Sequence, residues 1–481
     1  MTRVSETSSS PGQSHSQSLG QSLGHGLKVR HLTMMGLGST IGAGLFLGTG
    51  VGIAAAGPAV LLAYLIAGIL AIMVMQMLGE MGTVIPASGS FSEYAEHGIG
   101  RWAGFTQGWI YWLATVAVLG AEITGAAAFI GSWFDVSPWI PAAICVAVFG
   151  TINLLHVRSF GEFEYWFAAI KVTVILAFLV IGTLLVLGLL PGHSFVGTSI
   201  LLEDGFMPNG LGGVAAGLLA VVFAFGGIEV VAIAAAESED PERSLVNAVR
   251  STILRISVFY LGSVLVIIFL LPYSSLGAAQ SAAESPFTLV LERAGIPAAA
   301  GFMEVVIVLA LLSAFNAQIY ASSRMMHSLA SRGEAPRIFR ATNSRGVPTN
   351  AIGLSVALSI VMVVLNYADT GWLLSFMLNA AGASLLIVWV FIAVSQLRLR
   401  PQLEANYPLP VRMWAYPYLT WAALALFAGI AVLMLADSSA RVQLLSAAAM
   451  FAVLAVAGVI NAKVRGLSPT STLPLPPAPQ K

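Results

Sequence analysis

Apolar positions along this chain come in long blocks, not in alternation. Twelve such runs stand out, at 32–56, 59–81, 103–131, 138–155, 163–190, 211–236, 253–273, 301–329, 351–366, 372–395, 413–436 and 442–461, parted by short polar stretches. A helix needs roughly 20 residues to cross about 30 Å of hydrocarbon. Only helices and closed barrels satisfy their backbone groups in lipid, and barrel strands alternate apolar with polar residues. The pattern therefore predicts an all-α membrane protein with twelve transmembrane helices spread over residues 31–464. Residues 1–30 are rich in Ser, Gly and Gln, without the apolar core of a signal peptide, and are expected to be a disordered tail. Residues 465–481 are Pro-rich and read as a second tail.

Composition agrees with a membrane location. The chain is 57% hydrophobic and 9% charged, whereas soluble domains carry about 25% charged residues. The net charge of zero offers no global field for nucleic acid. Cys145, the single cysteine, excludes an internal disulfide and any multi-cysteine metal site. With twelve spans both tails share one side. All 22 Lys and Arg residues except Arg293, Arg441 and Lys171 fall on that side. The positive-inside rule then makes both termini cytoplasmic, in a plasma membrane. No lysine completes GxxxxGK[ST] and no histidine pair forms HExxH, so neither an ATP-driven pump nor a zinc protease is visible. Secondary transport, a channel or a sensor remain.

Span one carries "GLGSTIGAGLFLGTG" at 36–50. Glycine inside a helix costs about 1 kcal/mol against alanine. One explanation is close helix packing, for which Gly38/Gly42 and Gly44/Gly48 have the i, i+4 spacing. The other is a helix broken at Gly42-Ala43-Gly44, whose free backbone groups bind substrate at mid-membrane. A broken helix in an inverted-repeat transporter has a counterpart in the other half. Five spans later, span six holds Gly226-Gly227 near its middle, flanked by Phe223, Phe225 and Glu229. Five further polar residues lie within spans. Lys171 sits about eight residues into span five, and a lysine at mid-depth costs roughly 2.5–3.5 kcal/mol. It is either a snorkelling side chain or a functional one. Glu122 lies deep in span three, facing a substrate amine, relaying protons, or bonded as an acid to a neighbour's backbone. In span eight Asn316, Tyr320 and Arg324 share a face at i, i+4 and i+8. The loop "ESEDPERS" and Arg101 are either inner-gate charges or solvated ones.

These stretches, with "GWIYWLATVAVLGAEITGA", "GEFEYWFAAIKVTVI", "FAFGGIEVVAIAAAESEDPERSLVNAVRSTILRI" and "NAQIYASSRMMHSLASRGEAPRIF", resemble the amino acid permeases of the amino acid–polyamine–organocation superfamily. The resemblance implies the leucine-transporter fold: two inverted five-helix repeats plus two helices, with substrate between broken helices one and six. It implies that Ser39, Thr40, Ile41, Gly42, Ala43 and Gly44 form the unwound part of helix one and offer backbone to the substrate carboxylate. Phe223, Phe225, Gly226 and Gly227 would form the second break, with an aromatic gate. Glu122 and Asn316 would border the substrate. Lys171 would stand where sodium sits in sodium-coupled relatives, so that Lys171, with Glu122 and Glu229, couples transport to protons. The expectation is an amino acid importer, not an enzyme, with protons as coupling ion, the lipid bilayer as surroundings and no redox, nucleotide or metal cofactor. An exchanger of the same fold and a transporter-like sensor stay as alternatives. GABA, aromatic, small neutral and basic amino acids all stay open as substrates, as does the oligomeric state.

Overall fold

The computed structural model describes residues 26–38, 41–155, 157–276, 285–296, 298–368, 373–436 and 438–475. Among them the one β pairing is an isolated bridge between Leu27 and Ser238; the framework is helical. In chain order the helices are α1 (Val29–Gly38), α2 (Ala43–Phe46), α3 (Gly48–Ala56), α4 (Val60–Gly82), α5 (Phe91–Gly98), α6 (Arg101–Phe134), α7 (Trp139–Leu154), α8 (Val157–Val186), α9 (Ser199–Leu202), α10 (Gly210–Phe225), α11 (Ile228–Ala235), α12 (Pro241–Leu254), α13 (Leu261–Leu270), α14 (Pro286–Arg293), α15 (Ala299–Ser331), α16 (Thr349–Ala368), α17 (Leu373–Asn406), α18 (Tyr418–Ala436) and α19 (Ser438–Val464).

Twelve spans emerge once α1 to α3 are taken as the first, α10 with α11 as the sixth, and α12 with α13 as the seventh. The seventh bends through a π-helical turn, Arg255–Tyr260, a feature frequent at functional sites. The two halves correspond. A break interrupts the first span of each, and a short helix follows the second span of each, α5 in one half and α14 in the other. The last two spans are peripheral: the apolar windows of Tyr418–Ala436 and Ala440–Val464 are only 28% and 11% buried, against 94% for Gly210–Ala235.

Span one leaves the helical path before α2, where Gly42 holds φ −151° and ψ −145°. Leu47 N–H donates to Ala43 O, and Val51 N–H to Leu47 O, so α2 and α3 run on as one helical rod. In span six the chain turns at Gly226 (φ −58°, ψ 148°) and Gly227 (φ 98°, ψ −7°). The positive φ at Gly227 is a conformation only glycine adopts without strain. Two boundaries depart from the hydrophobic pattern. Helix α17 continues to Asn406, beyond the apolar run ending at 395, because its polar end packs rather than frays: Arg400 pairs with the buried Glu80. The start of the Pro-rich segment is docked, with Pro469 O accepting from Trp102 N–H and Leu473 O bonded to the His97 ring.

Candidate functional site

The two breaks meet in the middle of the bundle. Gly44 lies against span six so closely that a Cβ there would stand 2.5 Å from Ala224 Cα. Between the breaks lies a cavity lined by Gly44, Tyr111, Ala114, Thr115, Val118, Glu122, Phe223, Gly226, Gly227, Ala314, Gln318 and Leu385. Its volume is about 20 Å³, room for about one water. Two lining atoms, Tyr111 Oη and Gln318 Oε1, are buried without a hydrogen-bond partner. Buried polar groups are nearly always paired, so two orphans on one cavity leave unused hydrogen-bonding capacity facing it.

Charged side chains occupy the broken ends. Both oxygens of Glu122 accept from Ala43 N–H, at 3.1 and 3.0 Å, at the start of the second half of span one. Gly42 makes this approach possible, since a Cβ there would stand 2.6 Å from Glu122 Oε1. At the other side of the break Lys171 Nζ donates to Gly38 O at 2.9 Å, and Arg255 Nη1 donates to Gly36 O. Carbonyls at a helix C-terminus carry partial negative charge, so cations are stabilised there. Lys171 is 1% exposed; its ammonium is buried at the break and does not snorkel. In span six Glu229 turns back on its own break, accepting from Gly227 N–H at 2.9 Å and from Trp389 Nε1. Among the described residues, no group of three His, Cys, Asp or Glu converges as metal ligands.

Of the residues singled out from sequence, Gly44, Glu122, Phe223, Gly226 and Gly227 line the cavity. Gly42 and Ala43 lie behind Glu122, and Ile41 is buried beside them. Ser39 and Thr40 lie outside the described residues. Phe225 faces elsewhere, stacked on Tyr260 with ring centroids 4.8 Å apart. Asn316 is absent from the lining and instead accepts from Asn153 Nδ2 at 2.8 Å. Helical phase explains this: Ala314 and Gln318 are one turn apart on the cavity side, and Asn316 between them is rotated about 200° away. Residues missed earlier follow the same logic. Tyr111, Thr115 and Val118 precede Glu122 at 11, 7 and 4 residues, one helical stripe that Glu122 alone was enough to locate.

Side-chain contacts lie on either side of the cavity along the bundle. Toward the basic end Arg324 Nε pairs with Glu237 Oε1 at 2.8 Å, both almost fully buried. The Arg324 guanidinium lies 4.0 Å over the Tyr320 ring, which stacks on Phe160 at 4.3 Å. Glu237 O also accepts from the backbone of Gly26 and Leu27. Arg101 belongs to a separate cluster with Glu96, Arg332 and Glu334. Toward the other end Phe46 packs edge-on to Phe287 at 4.9 Å, and Ser285 Oγ donates to Phe46 O.

Known proteins share this architecture. A crystal structure of a manganese transporter mutant from Eremococcus coleocola superposes with a TM-score of 0.56 at 12% identity, covering 90% of this chain and 94% of that one. That likeness shows the fold, an all-α membrane architecture of the leucine-transporter kind with broken helices one and six. An aromatic amino acid transport protein (AroP) of Corynebacterium glutamicum is 59% identical over 450 residues, 93% of this chain and 97% of its own. A gamma-aminobutyric acid permease of Bacillus subtilis is 44% identical, over 87% and 89% of the two chains. The family model for amino acid permeases matches residues 31–465. Since both breaks, the cavity and all twelve spans but the first two residues of α1 lie within that match, the chain belongs to the amino acid permease family and is a multi-pass membrane transporter, not an enzyme.

Proposed function

We propose that the protein imports aromatic amino acids across the plasma membrane by proton symport and alternating access. The cavity between the two breaks is the observation that carries this reading. Its polar groups are few and convergent: the Glu122 carboxylate, the Tyr111 hydroxyl, the Gln318 amide oxygen and the backbone at Gly226-Gly227. The remaining walls are apolar or small. Gly44, Ala114 and Ala314 leave room beside Phe223, Val118 and Leu385 for a ring once the walls part. At about 20 Å³ the site is closed, so an amino acid enters only when one set of end contacts opens. The name of the 59% identical relative supports the aromatic class.

Glu122 holds the Ala43 N–H that the substrate carboxylate needs. Protonating Glu122 frees that donor, which ties substrate entry to proton entry. Lys171 at Gly38 O stands on the other side of the break and is the second proton site. With the basic end and both termini cytoplasmic, separating Arg324 from Glu237 opens the site inward. One charge moved through about 100 mV supplies about 2.3 kcal/mol, close to fiftyfold accumulation. Residues 31–464 form the transport unit. The test is uptake into proteoliposomes of labelled phenylalanine, tyrosine, tryptophan and GABA, each against unlabelled aromatic amino acids, GABA, alanine and lysine. Competition among the aromatic substrates alone is expected. Preferential uptake of GABA would replace the aromatic assignment.

A further inference from the structure

Glu164 has no part in the account so far. It lies on α8 two turns before Lys171, on the same face at i, i+7 and roughly 10 Å along the axis. Its side chain is fully buried. Ser313 Oγ donates to Glu164 Oε1 at 2.9 Å. The Asn316 amide faces the same carboxylate, yet neither Asn316 Nδ2 nor Glu164 Oε2 closes a hydrogen bond of ordinary geometry. Asn316 is itself held by Asn153, so the α7 and α15 polar groups are fixed around an incompletely paired carboxylate. A buried carboxylate in that state is costly unless a positive charge compensates.

Lys171, seven residues on along the same face of α8, is the cation on that helix placed to compensate it without touching it. The carboxylates acting on its ammonium are Glu164 and Glu122. Other helices packed on α8 present no rival. On α1, Arg30 and His31 engage Glu162 near the basic end. Helix α13 carries no titratable side chain, and α14 bears Glu292 and Arg293 only at its last turn. On α15, Tyr320 is stacked on Phe160, Arg324 is paired with Glu237, His327 lies beyond Arg324 toward the basic end and Glu304 lies toward the other end, bonded to Trp133; on α7 the titratable group is Cys145. Helix α8 begins at the basic end, so Glu164 stands between Lys171 and that end, while Glu122 stands at the cavity.

We propose that Glu164 is the inward-side partner of Lys171 in proton release, an inference that rests on the symport reading above. In the step, the proton leaves Lys171 Nζ, crosses the roughly 10 Å between the two positions through intervening water and reaches Glu164 Oε2, turning ammonium and carboxylate into neutral amine and neutral acid. The acid then gives that proton to cytoplasmic water and is a carboxylate again. Ser313, bonded to Oε1, fixes the carboxylate and leaves Oε2 to accept. Coupling thus follows a line from Glu122 through Lys171 to Glu164, beside the Arg324–Glu237 closure rather than through it.

The test uses full-length wild type, Glu164→Gln and Glu164→Asp in proteoliposomes. Counterflow of labelled substrate needs no net proton movement; accumulation under an imposed gradient of one pH unit does. One unit is worth about tenfold at one proton per substrate. Glu164→Gln is expected to keep counterflow within about twofold of wild type, lose the tenfold accumulation and flatten the pH profile of uptake. Glu164→Asp is expected to restore accumulation. Wild-type accumulation in Glu164→Gln overturns the proposal. Loss of counterflow together with accumulation, without rescue by aspartate, overturns it in favour of a structural role. Absence of gradient-driven accumulation in wild type overturns the symport reading itself, and this inference with it.

Discussion

Replacing Gly44 with alanine puts a methyl group where the two broken helices touch. The new Cβ would lie 2.5 Å from Ala224 Cα, 3.2 Å from its nitrogen and 3.3 Å from its Cβ. Carbon atoms settle at about 3.5–4.0 Å, so span one and span six must separate by about 1 Å. The obstacle is backbone, which cannot rotate away as a side chain does. Overpacking of this kind costs about 1–3 kcal/mol, offset by up to about 1 kcal/mol from a better helix former. A net loss of about 1–2 kcal/mol falls on the contact between the two breaks, and a bound state that keeps this contact loses a factor of about 5–30 in affinity. Binding of labelled phenylalanine to the purified protein, with a thermal melt of the same sample, reads both effects. Gly44→Val is expected to abolish binding while membrane insertion stays normal. Gly429→Ala is the control: nothing lies within 4 Å of a Cβ there, so stability is unchanged or slightly raised and binding is unchanged. Wild-type affinity in Gly44→Val would refute the claim that the meeting of the two breaks is the binding site.

Tyr111→Phe removes a buried hydroxyl that has no partner, so stability in a melt should hold or rise while substrate affinity falls about 2–10-fold, one lost hydrogen bond of about 0.5–1.5 kcal/mol; a parallel fall in both would contradict the assignment. Arg324→Ala strands the buried Glu237 carboxylate and should cost about 3–5 kcal/mol. The pair Arg324→Leu with Glu237→Leu should recover most of that loss in the same melt; no recovery would mean the closure does not depend on the charge pair. Glu334 lies outside the spans, and burial raises its carboxyl from 4.5 to about 7 against the opposing pull of Arg332. Its folded form holds the proton more tightly, so this contribution to stability is complete below pH 4.5 and is lost as pH rises through about 7. Glu334→Gln should flatten that part of the pH–stability curve; an unchanged slope would assign it to another group.

Much of the fold is legible in the chain because hydrocarbon imposes a length and a continuity on every span. That constraint located the short seventh helix, α7, as readily as the long α6. It says nothing about polar ends, so the extension of α17 to Asn406 and the docking of Pro469 and Leu473 on α5 and α6 were not visible. The breaks were legible because glycine is costly in a helix and occurs at matching places five spans apart. Contacts across large sequence separations were not. No local pattern brings Glu122 to Ala43, 79 residues away, or Arg324 to Glu237, 87 away. Phase was the finer failure: reading span eight from Asn316 faced it to the cavity, whereas Gln318 holds that place. Glu164 stood in the quoted "GEFEYWFAAIKVTVI" at i, i+7 from Lys171, a spacing that helix geometry alone makes meaningful.

Proton movement during uptake tests the central claim most directly. Wild-type proteoliposomes carrying an internal pH dye receive phenylalanine with no imposed gradient and with the membrane potential clamped. The account predicts that the interior acidifies in step with uptake, near one proton per substrate, and that Lys171→Ala abolishes the acidification. Phenylalanine entering at the wild-type rate with no change in internal pH would contradict it.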